Sequence, residues 1–401
     1  MKNSLFSGAA VIALGAALVT SAPALAEDSD QAAPAAAPTS NAMTTPALAG
    51  PLAANPNPAS FDAGPVGKIY ATGVVSGFGQ WQSNHVPGDR SSQADLSNGQ
   101  AIIQTTEGLV QFYVQAGAYS LPSLGTGYIR ASKAIDDFYG VMPVAYAKLA
   151  PTDTFSIQAG KLPTLIGAEY TFTFQNSNIE RGLLWNQENA VARGVQANYT
   201  AGPLAFSLAL SDGFYSDRYN WLSGLVTYTI DPANTIAFDG GGNVDKTNVS
   251  TLATPLLQNN SQIYNLMYTY NAAPWTVAPY LQYTYVPTNK SLGITHDAST
   301  FGAAILGTYA FPDLDGVSLP VRAEYITSSG SATDGTPNLL YGAGSEAWSL
   351  TVTPTYQKGI FYARAEASYV DTMKTVAGSA FGTNGNAKSQ VRVLAEVGVL
   401  F

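Results

Sequence analysis

The chain has 401 residues, 18 basic and 27 acidic side chains, a net charge of −9 and no cysteine. Only 11% of its residues are charged, against roughly 25% in ordinary soluble proteins; the acidic balance argues against a nucleic-acid partner, and the missing cysteines exclude thiolate metal sites. Apolar residues make up 46%, yet past the first 26 positions no run approaches the roughly 20 that a spanning helix needs.

Few charges without long apolar runs mean that the oily residues are diluted by alternation, which is the segment-by-segment signature of a membrane-spanning β-barrel. A secreted β-sandwich or β-helix is the other class with such a composition. The N-terminus supplies the address: Lys2, an apolar stretch over 5–19, then Ala24-Leu25-Ala26 before Glu27. This reads as a secretory signal peptide over 1–26 with a small-residue cleavage site. Its removal takes Lys2 away and leaves a charge of about −10. Residues 27–65 are rich in Ala, Pro, Asn and Ser and lack the apolar surface to offset chain entropy. They are expected to form a disordered periplasmic extension, with a plug in the barrel mouth as the alternative.

Residues 66–401 carry the barrel. Strands are expected at 68–81, 99–106, 109–119, 138–149, 154–162, 189–200, 204–213 and 220–230, and then at 235–243, 261–271, 275–286, 299–310, 317–327, 345–356, 360–371 and 388–401. Tight connections such as Thr106-Glu107-Gly108, Ala201-Gly202-Pro203 and Gln357-Lys358-Gly359 alternate with long polar ones such as 82–98, 120–137 and 163–188. That alternation is required when turns face the periplasm and loops face outside. Merging 99–119 into one strand gives fifteen and puts a terminus on the wrong side. The turn at Thr106 to Gly108 makes about 16 antiparallel up-and-down strands, with 14 or 18 the neighbouring counts.

The faces follow from the two-residue period. Val110, Phe112 and Val114 alternate with Gln111, Tyr113 and Gln115; Val391, Val393, Ala395, Val397 and Val399 alternate with Arg392, Leu394, Glu396 and Gly398. Aromatic residues gather beside the short turns at Tyr199, Tyr228, Tyr270, Trp275, Tyr309, Tyr356, Phe361 and Phe401, as rings at the headgroup level would. A general preference of aromatics for strands accounts for part of that pattern.

Three late strands place charges opposite their oily faces: Arg322 with Glu324, Arg364 with Glu366, and Arg392 with Glu396. An arginine facing lipid near the midplane costs roughly 2–4 kcal/mol, so these belong in the lumen, either lining a pore or neutralising one another on its wall. Arg193 shares a parity with Val195 and Tyr199 and must lie above the hydrocarbon band or beside a bulge. The longest connection, 163–188, contains Leu165, Ile166, Phe172, Phe174, Ile179, Leu183, Leu184 and Trp185. A loop wholly in water has no use for them. It is expected to fold inward as a constriction that presents Glu169, Glu180, Arg181 and Glu188, with a packed cap on the rim as the alternative.

Several segments resemble a known family. Gly117-Ala118-Tyr119, Gly160-Lys161-Leu162-Pro163-Thr164, Asn178-Ile179-Glu180-Arg181-Gly182-Leu183, Arg193-Gly194-Val195-Gln196 and Asp212-Gly213-Phe214-Tyr215 look like the OmpL-like β-barrel porins of Gram-negative outer membranes. The resemblance runs from about residue 66 to the C-terminus and implies a passive diffusion channel for small hydrophilic solutes or ions. Terminal Phe401 looks like the closing signal read by the outer-membrane assembly machinery. Porin trimers suggest a homotrimer by analogy. A substrate-selective channel, for sugars or small anions, is the nearer rival; inward Tyr113 and Tyr280 would present rings to sugars. An outer-membrane hydrolase is the farther one. The chain has two histidines, His85 and His296, both in expected loops, so neither a catalytic group nor a metal or cofactor site is expected. The expected location is the outer membrane.

Overall fold

The computed structural model describes Leu48 and residues 50–401; the leader 1–26 and most of the 27–65 extension lie outside the described residues. The first strands are β1 (Ala59–Asp62), β2 (Lys68–Gln82), β3 (Ser92–Thr105), β4 (Val110–Tyr119), β5 (Val144–Leu149) and β6 (Phe155–Pro163). Next come β7 (Val191–Ala201), β8 (Leu204–Ser211), β9 (Trp221–Asp231), β10 (Asn234–Asn243), β11 (Gln262–Ala272) and β12 (Trp275–Val286). The last are β13 (Ala298–Ala310), β14 (Val317–Ser328), β15 (Glu346–Val352), β16 (Thr355–Lys358), β17 (Phe361–Lys374) and β18 (Ser389–Leu400).

All neighbours pair antiparallel, and β18 returns to β2 with Val399 opposite Val75 and Arg392 opposite Gln82. The sheet thereby closes on itself, β18 against β2. Among the described residues its staves number sixteen. β15 and β16 are one stave interrupted at Thr353-Pro354, since both pair with β14 and with β17. Proline has no N–H to give the ladder, and the break falls there. β1 is an addition rather than a stave. It pairs with the first residues of β2, Ala59 opposite Ala71 and Asp62 opposite Lys68, where β18 has already ended and the edge would otherwise lie bare.

Chain closure runs through the last residue. The Phe401 N–H donates to the Gly73 carbonyl at 2.9 Å, and the Gly73 N–H donates back at 2.7 Å. Val110, Leu208, Leu266, Leu350 and Val397 are exposed on the outer surface, forming the lipid-facing skin that alternation requires. Tyr199, Tyr228, Tyr270, Trp275, Tyr356, Phe361 and Phe401 are exposed beside the short turns. Trp275 also packs on Tyr309, their ring centres 4.5 Å apart.

Three sequence expectations need correction. The first outer loop is shorter than 82–98, because β3 begins at Ser92. Polar residues such as Gln93 and Asp95 read as loop, yet a strand projecting beyond the bilayer needs no apolar face. β5 begins at 144 and not at 138, because 131–139 coils into α1 (Ala131–Ala134) and a wider turn continuing to Tyr139. Finally, the part of 27–65 that is described is ordered: β1 joins the sheet, and Leu52 is buried.

Candidate functional site

The core of this protein is inside the barrel, where the connection from β6 to β7 folds inward and packs on the wall. Ile166 lies with Phe214, Trp221 and Ile263. Phe172 and Phe174 lie with Tyr119, Tyr113 and Tyr362, and Leu183 and Leu184 with Tyr280, Ala304 and Ile326. These are the apolar loop residues that had no reason to sit in water.

The polar side of the same loop is held by charge. Arg322 Nη1 reaches Glu169 Oε1 at 2.7 Å and donates to the Glu180 carbonyl at 2.7 Å, while its Nε lies 3.2 Å from Glu324 Oε2. Arg392 Nη1 meets Glu180 Oε1 at 2.6 Å. Arg364 Nε meets Glu396 Oε2 at 2.9 Å and its Nη1 donates to the Asn176 carbonyl at 3.0 Å. Glu366 accepts the backbone N–H groups of Ile179 at 2.5 Å and Glu180 at 3.1 Å. Gly182 fits because a Cβ there would overlap the Glu324 carboxylate, and its N–H donates to Glu169 Oε2 at 2.7 Å.

Eight of the ten residues singled out from the sequence therefore meet in one network. Their pairing differs from the expected one for two of the three wall pairs. Arg322 does pair with Glu324, but Arg364 pairs with Glu396 and Arg392 with Glu180 of the loop. Positions two apart on one strand are separated by about 6.5 Å, whereas directly opposed positions on neighbouring strands are about 5 Å apart. Arg364 and Glu396 are opposed in register. None of the ten is more than 6% exposed, and the eight of the network face one another and the loop backbone.

The other two stand apart. The Arg181 guanidinium has no hydrogen-bond partner among the described residues and lies over the Trp185 ring, 4.8 Å from its centre. Burial lowers its pKa to about 10, with Glu169 and Glu180 opposing. Glu188 Oε1 accepts from Gln282 Nε2 at 2.7 Å, while Oε2 has no partner among the described residues. Burial, with the nearby carboxylates Asp239 and Glu169 adding, pushes the Glu188 carboxyl well above the usual range.

Sequence reasoning missed a second inward segment. Residues 120–127, read as a polar outer loop, bridge the first loop: Leu124 N–H donates to the Arg181 carbonyl at 2.9 Å, and Arg392 Nη1 donates to the Ser123 carbonyl at 2.8 Å. Leu121 and Leu124, both buried, were the available signal. Asp239 was missed too; it accepts the Gly167 N–H at 3.2 Å. Arg193 lies at the outer end of β7, paired with Asp212 at 2.7 Å and Asp217 at 2.8 Å. His85 and His296 sit in separate outer loops, and His296 Nδ1 is 3.2 Å from the neighbouring Thr295 hydroxyl.

At the short-turn end, beneath the loop, lies a cavity of about 400 Å³. Tyr113, Tyr146, Tyr170, Met267, Leu306 and Thr308 are among its lining. Tyr113 and Tyr146 are stacked there, with centres 5.5 Å apart and planes 15° from parallel. The arrangement is a barrel wall carrying an internal shelf.

Comparison with known proteins agrees with that geometry. The family described as "Putative beta-barrel porin-2, OmpL-like" matches residues 68–401. No curated protein sequence matches the chain. Among solved structures, OmpT of Vibrio cholerae is similar at 12% identity and a TM-score of 0.56, over 86% of this chain and 100% of that one. The outer membrane channel DcaP of Acinetobacter baumannii is similar at 10% identity and a TM-score of 0.56, over 86% and 100%. Salmonella typhi OmpF, in complex with daunomycin, is similar at 12% identity and a TM-score of 0.53, over 83% and 98%.

Proposed function

This chain belongs to the OmpL-like β-barrel porin family and is an outer-membrane porin, and from that premise we propose that it passes small hydrophilic solutes down their gradients with no chemical step. The inward shelf carries the proposal: residues 163–190 cross the barrel and are tied to β14 and β18 by buried ion pairs and to β17 by buried hydrogen bonds. A shelf so placed sets the pore width, and the residues around Glu169, Glu180, Arg181 and Glu188, with their wall partners, shape its field. Deleting 168–184 should widen the channel and raise its single-channel conductance in a planar bilayer. An unchanged conductance would remove the constriction while leaving the barrel.

The leader 1–26 supports cleavage during export, and the pairing of Phe401 with Gly73 supports its use as the closing strand's assembly signal. A homotrimer is the assembly proposed by analogy with porins. A second reading, selectivity for sugars, is favoured by the stacked Tyr113 and Tyr146 in the cavity wall, since aromatic faces suit the apolar faces of sugar rings. Sugar-induced current blockade distinguishes it from general diffusion.

A further inference from the structure

Upstream of β1, Leu48 and residues 50–53 stay against the barrel. Ala53 is clasped by the side-chain amide of Gln357, at the tip of the hairpin between β16 and β17. The Ala53 N–H donates to Gln357 Oε1 at 2.7 Å, and Gln357 Nε2 donates to the Ala53 carbonyl at 2.8 Å. Three residues earlier, Gly50 lies against the Asn176 carbonyl so closely that a Cβ would overlap it. Asn176 is a hub of the shelf: its side chain donates to the carbonyls of Tyr170 at 2.7 Å and Phe172 at 2.9 Å, and its own carbonyl takes Arg364. Leu52, only 3% exposed, is buried with Tyr113, Phe172, Tyr362 and Leu400, and Leu48 packs on the same cluster. Read backwards from β1, the chain runs from the rim inward to the underside of the shelf.

We propose that Leu48 and residues 50–53 are a stopper, docked in the short-turn mouth of the barrel against the inward loop, and that this segment narrows the pore at rest. The proposal rests on the porin reading above. The occupant of the apolar mouth is this chain's own N-terminal segment, since Leu48 and Leu52 already fill it. Its attachment differs in kind from that of the shelf. The shelf is held by buried guanidiniums and carboxylates, whereas the stopper is held by one amide clasp and two leucines. It can therefore withdraw while the shelf stays in place, and pore width acquires two settings without any change in the barrel.

The test compares the full mature chain with a deletion of residues 27–57 in planar bilayers. The deletion should conduct at least about twofold more, because the narrowest section sets the current. A synthetic peptide of residues 44–57, added on the short-turn side, should block the deletion channel, and should not do so from the loop side. Equal conductance of the two proteins, or no block by the peptide, overturns the stopper and leaves the porin intact. Silence of every variant overturns the porin reading and the stopper with it. Seating is also measured without current, because the chain has no cysteine. In detergent, Leu52→Cys should react with a hydrophilic maleimide at least about tenfold more slowly than the same cysteine combined with Gln357→Ala, as protection follows the open population. Equally rapid labelling of both overturns the docked arrangement even if the deletion fails to assemble.

Discussion

Replacing Arg322 by methionine tests whether charge holds the shelf against the wall. Methionine keeps the length and apolar stem of the side chain but removes the guanidinium. Glu169 then loses its 2.7 Å partner, the Glu180 carbonyl loses a donor, and Glu324 loses a contact at 3.2 Å. The two side chains of the Arg322–Glu169 pair are 0% and 2% exposed, so no discount for solvent screening applies. Breaking a buried pair by removing one partner costs about 3–5 kcal/mol. Both carboxylates keep other donors: Glu169 has the Gly182 N–H at 2.7 Å, and Glu324 has the Ser349 hydroxyl at 2.7 Å and the Leu184 N–H at 3.2 Å. Those donors place this case near the lower end, about 3 kcal/mol, which shifts the docked-to-undocked ratio by about 150-fold. Limited trypsin digestion at Arg181 reads that ratio when opening is faster than cleavage. Arg322→Met should be cut about 100-fold faster in detergent and show a larger, noisier single-channel current. Adding Glu169→Gln, which removes the stranded charge, should recover part of the protection. If Arg322→Met resists trypsin and conducts as the parent does, the ion pairs do not hold the shelf.

Other perturbations probe the remaining physics. Gly182→Ala places a methyl group in the space of the Glu324 carboxylate and should weaken docking by about 1–3 kcal/mol, read by the same digestion. Leu266→Arg, on the exposed outer face of β11, should destabilise the barrel by about 2–4 kcal/mol in urea titrations from lipid vesicles; no loss would mean that this face does not meet lipid. The raised Glu188 carboxyl, facing Asp239, Glu169, Glu324 and Gln282, binds its proton more tightly when the shelf is docked. Its contribution to docking is full below the ordinary value of about 4.3 and is lost as pH rises through the elevated one. Conductance should therefore be lower at acid pH than at neutral pH, and Glu188→Gln should flatten that dependence.

The strand rhythm was legible because a barrel stave has only two environments, and each residue's parity reports which it meets. Thus Val397 and Leu266 are outside, Arg322 and Glu396 are inside, and sixteen staves close through Phe401. The inward loop was legible for a related reason: Phe172, Phe174, Ile179 and Leu184 are too apolar for a solvated connection. Where both faces are polar the rhythm is silent, and there the start of β3 shifted; β5 shifted because 131–139 coils, a choice its apolar residues do not report two positions at a time.

The amino-acid order alone determined that the chain wraps a wet interior in an apolar skin, because alternation is a local property read two residues at a time. Which carboxylate answers which arginine was decided only in three dimensions. Arg392 and Glu180 are 212 positions apart, and their meeting depends on the register of neighbouring staves and on the path of a loop across the lumen. The same holds for Ala53 and Gln357, 304 positions apart: a short stretch of Ala, Gly, Pro and Leu carries no mark of its destination until a closed wall supplies the pocket that receives it.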